Sequence, residues 1–324
     1  MCSQIDPLPS SSPQTEPPPP VETEQAVSEP DALEDLEEKS DEGLDPREVY
    51  FNIEYSVHVP DKTDKIIFVS TIPGNYSKRQ KVLDIQYSPR PSRIFTRGQN
   101  KYAEFMIEEP LLDFTINIAS RMILYDYDLV SATSTRNNKP EGDLDEYLNE
   151  EKYLDIDDPV IADNPLVNTL TEHPLDKIRM LYDYVLDNMS YDTYNPHSLG
   201  AAEALKTGKG DCTEYTDALV ALSRASGFPA RFVEGYYLFG SDLNNGHNWA
   251  EVYLNRYGWV PFDPTIDDSN KISGYTTFNN LQNTYVYLSF KRNDPALSYY
   301  HFYYYRYWGY NIEVTKNISY TLTP

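Results

Sequence analysis

Three residues of this 324-residue chain could together build a nucleophile: Cys212, His247 and Asp263. A thiol attacks as its thiolate, and an ordinary cysteine is mostly protonated at neutral pH. A helix N-terminus, a neighbouring imidazole and a third group orienting that imidazole correct this. Cys212 follows Gly208-Lys209-Gly210-Asp211 and opens a segment in which Ala218, Leu219, Leu222 and Ala225 recur with helical period. A helix is therefore predicted from about Cys212 to Ser226, stopped by Gly227-Phe228-Pro229. His247 starts a predicted strand after the turn Asn244-Asn245-Gly246, and Asp263 ends the next strand. Adjacent antiparallel strands could bring imidazole and carboxylate within hydrogen-bond reach. The chemistry would be acyl transfer: thiolate attack on an amide carbonyl, a thioester, then its resolution by water or an amine.

Each residue alone has a structural reading. A buried cysteine is more often inert packing, His247 could be a structural histidine, and Asp263 a turn residue before Pro264. The three in order, on elements able to unite them, favour the triad. Trp249 lies two residues from His247 on the same strand face and is a candidate for lining the cleft. Glu214 and Arg231 fit structural pairing as easily as substrate contact. His58, His173, His197 and His301 are scattered and are read as non-catalytic and too dispersed for a metal site. No cofactor is expected.

The elements that must position the triad read as α+β. Residues 169–324 form the expected catalytic unit. It starts with a helix whose first turn holds Pro174 and whose apolar positions include Leu175, Ile178, Leu181, Tyr182 and Val185. It ends in the Tyr-rich segment 299–310, read as a strand closing that unit; an aromatic platform for sugars is the rival reading. Residues 47–135 alternate with period two, with Phe51, Ile53, Tyr55, Val57 and Val59 on one face, and predict a β-sandwich. Residues 136–168 are acidic and read as a solvated linker. Residues 1–46 hold 13 of the Asp/Glu residues, one Lys and 9 of the 24 prolines, which predicts a disordered acidic tail or tether.

Four blocks carry a resemblance. They are Gly208-Lys209-Gly210-Asp211-Cys212-Thr213-Glu214-Tyr215, Leu222-Ser223-Arg224-Ala225-Ser226-Gly227-Phe228-Pro229-Ala230-Arg231, Gly246-His247-Asn248-Trp249-Ala250-Glu251-Val252-Tyr253, and Gly258-Trp259-Val260-Pro261-Phe262-Asp263-Pro264-Thr265. In this order they resemble the core of the transglutaminase-like superfamily over about residues 170–270, and the β-rich region resembles the amino-terminal domains of bacterial members. The resemblance implies a papain-like α+β fold with Cys212 as nucleophile, His247 as base then acid, and Asp263 as orienter. Asn248 departs from the small residue usual there. The family's aromatic oxyanion stabiliser is not clearly marked; Tyr191 and Tyr194 are candidates. The implied activity is a cysteine-dependent acyl transfer on protein or peptide amide bonds, with hydrolysis preferred over glutamine cross-linking. The rival from another class is an inactive binding or assembly protein using the β-domain and the aromatic segment.

The net charge of −24 leaves no basic footprint for nucleic acid. Cys2 and Cys212 are the two cysteines, which rules out a disulfide scaffold or a cysteine-rich zinc site, and they are expected to stay unpaired with each other. Met1-Cys2-Ser3-Gln4 resembles a mature bacterial lipoprotein start, so a lipidated Cys2 and a cell-envelope location are expected, with a cytoplasmic protein as the alternative. Oligomeric state is not legible.

Overall fold

Period-two alternation governs the first part of the computed structural model, which describes residues 45–59, 62–76, 78–110, 113–129, 143–192, 198–240, 243–269 and 276–323. Six strands follow in order: β1 (Pro46–His58), β2 (Thr63–Thr71), β3 (Gln80–Ser88), β4 (Arg93–Arg97), β5 (Asn100–Glu108) and β6 (Asp113–Tyr125). Phe51, Ile53, Tyr55 and Val57 of β1 all face inward and are buried, as the alternation requires. The expected tail at 1–46 and its Cys2 lie almost wholly outside the described residues.

The catalytic unit contains helices α1 (Pro174–Asn188), α2 (Ala201–Thr207), α3 (Cys212–Ala225) and α4 (Pro264–Ser269). Its sheet is built from β7 (Ala230–Tyr237), β8 (His247–Leu254), β9 (Gly258–Phe262) and β10 (Tyr285–Ser289). The antiparallel order is β9-β8-β7-β10. Helix α3 packs on this sheet with Tyr215, Leu219 and Leu222 fully buried. The fold is α+β, a core of helices packed on an antiparallel sheet preceded by a strand-rich region.

Two expectations are corrected here. The Tyr-rich segment does not close the catalytic unit. It forms β11 (Tyr303–Gly309), which pairs with β2, and the chain ends in β12 (Glu313–Leu322), which pairs with β1. The sandwich sheets are therefore β12-β1-β6-β3 and β11-β2-β5-β4. Alternation explains the change: Tyr303 and Tyr305 point inward and stack on Phe68 at 5.5 and 6.2 Å, completing the sandwich core. Trp308 and Tyr310 remain 39% and 61% exposed. The described part of the acidic stretch, 143–168, is also not a solvated linker. Leu154 and Ile161 are fully buried in the catalytic core, and Asp158 and Asn164 cap two helical turns at Pro159–Ala162 and Pro165–Asn168. Ile156, Val160, Leu166 and Val167 pack partly buried against the same core and help to anchor it.

The two units interlock. Tyr236, Leu238, Val286 and Leu288 of the catalytic unit pack into the sandwich core. The edge strand β10 is sealed by amide side chains: Tyr287 N–H donates to Gln80 Oε1 (2.9 Å), and Phe290 N–H donates to Asn100 Oδ1 (2.9 Å). Such capping satisfies an edge that would otherwise invite another strand. Among the described residues no helix is long and apolar enough to cross a membrane.

Candidate active site

Asp211 is the N-cap of α3, and its Oδ1 accepts from Thr213 N–H at 2.8 Å. Glu214 completes a capping box, with Oε2 accepting from Asp211 N–H at 3.1 Å, while its Oε1 accepts from Leu199 N–H. Gly210 makes room for this, because a Cβ there would lie 2.3 Å from Glu214 Cβ. The short parallel ladder of Ser190–Tyr191 with Lys209–Gly210 brings Tyr191 opposite Gly210. Gly210 and the acids on either side of the cysteine thus fix the first turn of α3, with Cys212 as its first residue.

His247 enters β8 from Gly246, whose φ of +73° suits glycine. A Cβ at Gly246 would lie 2.1 Å from Phe302 Cζ, so the turn is clamped by the chain returning to the sandwich. The imidazole sits beside the rings of Tyr237, Trp249 and Tyr285, with centroids 6.0–6.1 Å away. Its Nε2 is 2.6 Å from Asp263 Oδ2. Asp263, fully buried just beyond β9, also accepts from Tyr285 Oη (2.8 Å) and Ile266 N–H (3.2 Å). Its own carbonyl accepts from Tyr182 Oη of α1 (3.0 Å) and Thr277 Oγ1 (2.5 Å). Several donors on one aspartate compensate its removal from water and fix its plane. With Nε2 committed to Asp263, Nδ1 is the nitrogen through which His247 can exchange a proton.

A further hydrogen bond joins the two halves. Asn248 Nδ2 donates to Thr213 Oγ1 at 3.0 Å. The residue after the histidine is thereby tied to the residue after the cysteine, which pins the start of β8 to the first turn of α3. The residue that departs from the usual family pattern has this bridging role.

Other expected positions resolve differently. Trp249 is fully buried and stands edge-on to Tyr285 and Tyr287, so it supports the imidazole from beneath and does not line an open cleft. Its indole is large and apolar, and β8 is buried along its whole length. Tyr191 is half-buried beside Tyr215. Burial, with the charges of Asp211 and Glu214, pushes its hydroxyl well above the ordinary range, so it stays a donor. Tyr194 lies outside the described residues. Arg231 is structural: its guanidinium bonds Glu251, Gln99 and Tyr76. The expectation that Cys2 and Cys212 stay unpaired with each other rests on Cys2, which lies outside the described residues.

Sequence reasoning missed Tyr285, a tyrosine on an apolar strand with nothing in its spacing to mark it. It also missed a buried chain of charge. Asp217 of α3 bonds Arg292 Nε (2.8 Å), Arg292 Nη1 lies 3.2 Å from His301 Nε2, and His301 Nδ1 is bonded to Glu234.

Burial, then the Glu214 charge, pushes the Asp211 carboxyl up to about 7. A raised folded-state value means the stability contribution is present at acid pH and is lost as pH rises through about 7. Asp211→Asn keeps a competent N-cap. It should match the parent below about pH 4, the ordinary carboxyl value, and exceed it at pH near 8, by on the order of a few kcal/mol, in urea denaturation. Equal stability of the two proteins at both values would overturn this reading.

Residues 165–264 match the family model described as the transglutaminase-like superfamily. A Bacillus subtilis (strain 168) protein, uncharacterized YebA, is 27% identical over 178 residues, covering 48% of this chain and 24% of that one. A protein-glutamine gamma-glutamyltransferase of Pseudomonas aeruginosa is 36% identical over 70 residues, covering 18% of this chain and 10% of that one. A solved Cytophaga hutchinsonii structure described as a "Putative Cysteine Protease" superposes with a TM-score of 0.62 at 17% identity, covering 86% of this chain and 92% of that one. The chain spans less than half the length of the curated relatives it matches. This chain carries a transglutaminase-like domain. Its sandwich and catalytic unit together share their fold with the Cytophaga protein.

Proposed function

We propose that the chain is a cysteine-nucleophile acyl-transfer enzyme acting on protein or peptide amide bonds, with Cys212, His247 and Asp263 as its triad. The observation that carries this reading is the pair of bonds His247–Asp263 and Asn248–Thr213, which orient the imidazole and tie its strand to the cysteine's helix turn. In the reduced protein, His247 Nδ1 takes the Cys212 proton and the thiolate attacks the amide carbon. The resulting imidazolium keeps its Nε2–H on Asp263. The oxyanion is received by the backbone N–H of Cys212 and the Tyr191 hydroxyl, groups that supply fixed positive dipoles where charge develops. The C–N bond then breaks, the amine leaves with the proton from Nδ1, and a thioester remains. Water, deprotonated by Nδ1, attacks it and releases the acid and the thiol.

Hydrolysis is preferred because water reaches any thioester that an exchanging substrate can reach, whereas amine transfer needs a second bound partner to outcompete it. The similarity over 70 residues to a protein-glutamine gamma-glutamyltransferase of Pseudomonas keeps cross-linking as the second outcome.

The test is incubation of the reduced chain with a glutamine-rich protein such as casein, following both released peptides and ammonia, with and without a primary amine. Peptide release or ammonia release that is abolished in Cys212→Ala at unchanged melting temperature supports the proposal. Amine incorporation would shift the reading to cross-linking. Activity retained by Cys212→Ala would overturn it.

A further inference from the structure

The sandwich carries a second candidate site, remote from the triad. On the face of sheet β12-β1-β6-β3 that points away from the sandwich core lies a groove of about 450 Å³, lined among others by Tyr50, Asn52, Asp84, Gln86, Arg121 and Thr321. The pairing register arranges these in rows across the strands. One row runs Thr321–Tyr50–Arg121–Asp84, and the next runs Ser319–Asn52–Ala119–Gln86. Ala119, the one small residue at the centre, leaves the floor open.

The chemistry of the lining selects its ligand. Tyr50 is 50% exposed and offers an aromatic ring, flanked by the Arg121 guanidinium at 5.9 Å. Arg121 is already paired with Glu48 at 2.6 Å, so the groove presents no uncompensated cation to an anionic ligand. Asp84 adds a carboxylate that already accepts from Gln86 Nε2 at 3.0 Å, and Asn52, Gln86, Ser319 and Thr321 add amides and hydroxyls able to donate or accept. Asn52 Oδ1 at the floor has no protein partner, and neither does Asn117 Oδ1 one row further on. A buried acceptor left without a partner is costly, and a ligand hydroxyl relieves that cost. The groove crosses the middle of the sheet, away from its edges, so an extended peptide finds no strand edge to pair with, and it finds no apolar well to anchor in. A pyranose ring has an apolar face to lay on Tyr50 and equatorial hydroxyls for the amides. Four strands at about 4.8 Å spacing give a footprint for roughly three such rings.

We infer that this groove is a binding site for a neutral oligosaccharide. Catalysis at Cys212 is not required for it, so it stands or falls apart from the proposed enzyme activity. The experiment is calorimetric titration of the full chain with cellohexaose, chitohexaose, laminarihexaose and mannohexaose, repeated on Tyr50→Ala and Asn52→Ala. Saturable binding of at least one saccharide is expected, weakened at least tenfold in both variants, with melting temperature and the rate of Cys212 alkylation unchanged. Absence of saturable binding by all four, binding unaltered in the variants, or protection of Cys212 from alkylation by the bound sugar would overturn the inference. Tight binding of a casein peptide at the same residues would overturn it in favour of a protein ligand.

Discussion

Asp263→Asn should lower turnover by on the order of 10³- to 10⁴-fold without unfolding the protein, the scale seen when the orienting carboxylate of such a triad is neutralised. The reason is the tautomer. In the parent, Asp263 Oδ2 accepts at 2.6 Å from Nε2, which leaves Nδ1 unprotonated and able to act as base. An asparagine can turn its NH₂ toward Nε2, which then must accept, and the proton moves to Nδ1, where it blocks attack. The carboxylate also receives Tyr285 Oη and Ile266 N–H, so the amide would face donors that it can satisfy only in part. Tyr285→Phe removes one of those donors and should cost far less, about tenfold, through poorer orientation alone. The decisive measurement is kcat/KM beside the pH dependence of Cys212 alkylation by iodoacetamide. In the parent, labelling well below the ordinary thiol range should mark a thiolate–imidazolium pair, and His247→Ala should lose it. Asp263→Asn activity within tenfold of the parent would remove Asp263 from the mechanism.

The largest effect on stability is expected at Arg231. Its guanidinium makes two contacts to Glu251, at 2.9 and 2.6 Å, and lies over the rings of Trp259 and Phe290 at 4.0 and 4.4 Å. Both partners of the ion pair are within 1% of complete burial. Arg231→Ala leaves Glu251 charged in the interior and should destabilise by about 3–5 kcal/mol, whereas the double change to Met at 231 and Leu at 251 should recover most of it. Arg231 also holds Gln99 Oε1 at 2.6 Å and the Tyr76 hydroxyl, both from the sandwich. Denaturation of Arg231→Ala, followed by tyrosine fluorescence and by Cys212 accessibility, should therefore split into two transitions as the units uncouple. A single transition at the parent's midpoint would contradict this assignment.

The parts of the fold that rest on local pattern were legible. Helical spacing and the Gly-Phe-Pro stop marked α3, and the Asn-Asn-Gly turn placed His247 at a strand start. What depends on pairing was not. Period-two alternation in residues 303–322 says which side chains share a face, and nothing in it says which sheet receives them. Leu154, Ile161 and their apolar neighbours were hidden by the acids around them, since composition averages over the positions that matter. Asp211 and Glu214 stand three apart, the spacing of a capping box, and could have been read from the sequence. Tyr285 and Asn248 could not, because their roles exist only once separate strands and a helix meet.

The return of β11 and β12 to strands laid down some 250 residues earlier has a consequence for how the molecule is made. During synthesis β1 and β2 emerge well before β11 and β12, and their outer edges stay unpaired until those strands follow. The sandwich is thus of high contact order and slow to close, while the catalytic unit, nested within it, can collapse on its own neighbours sooner. Genetic excision at the apparent boundary near residue 165 would yield two damaged pieces: a sandwich with exposed edges prone to self-association, and a catalytic unit without Gln80, Asn100 and Gln99 at its flank.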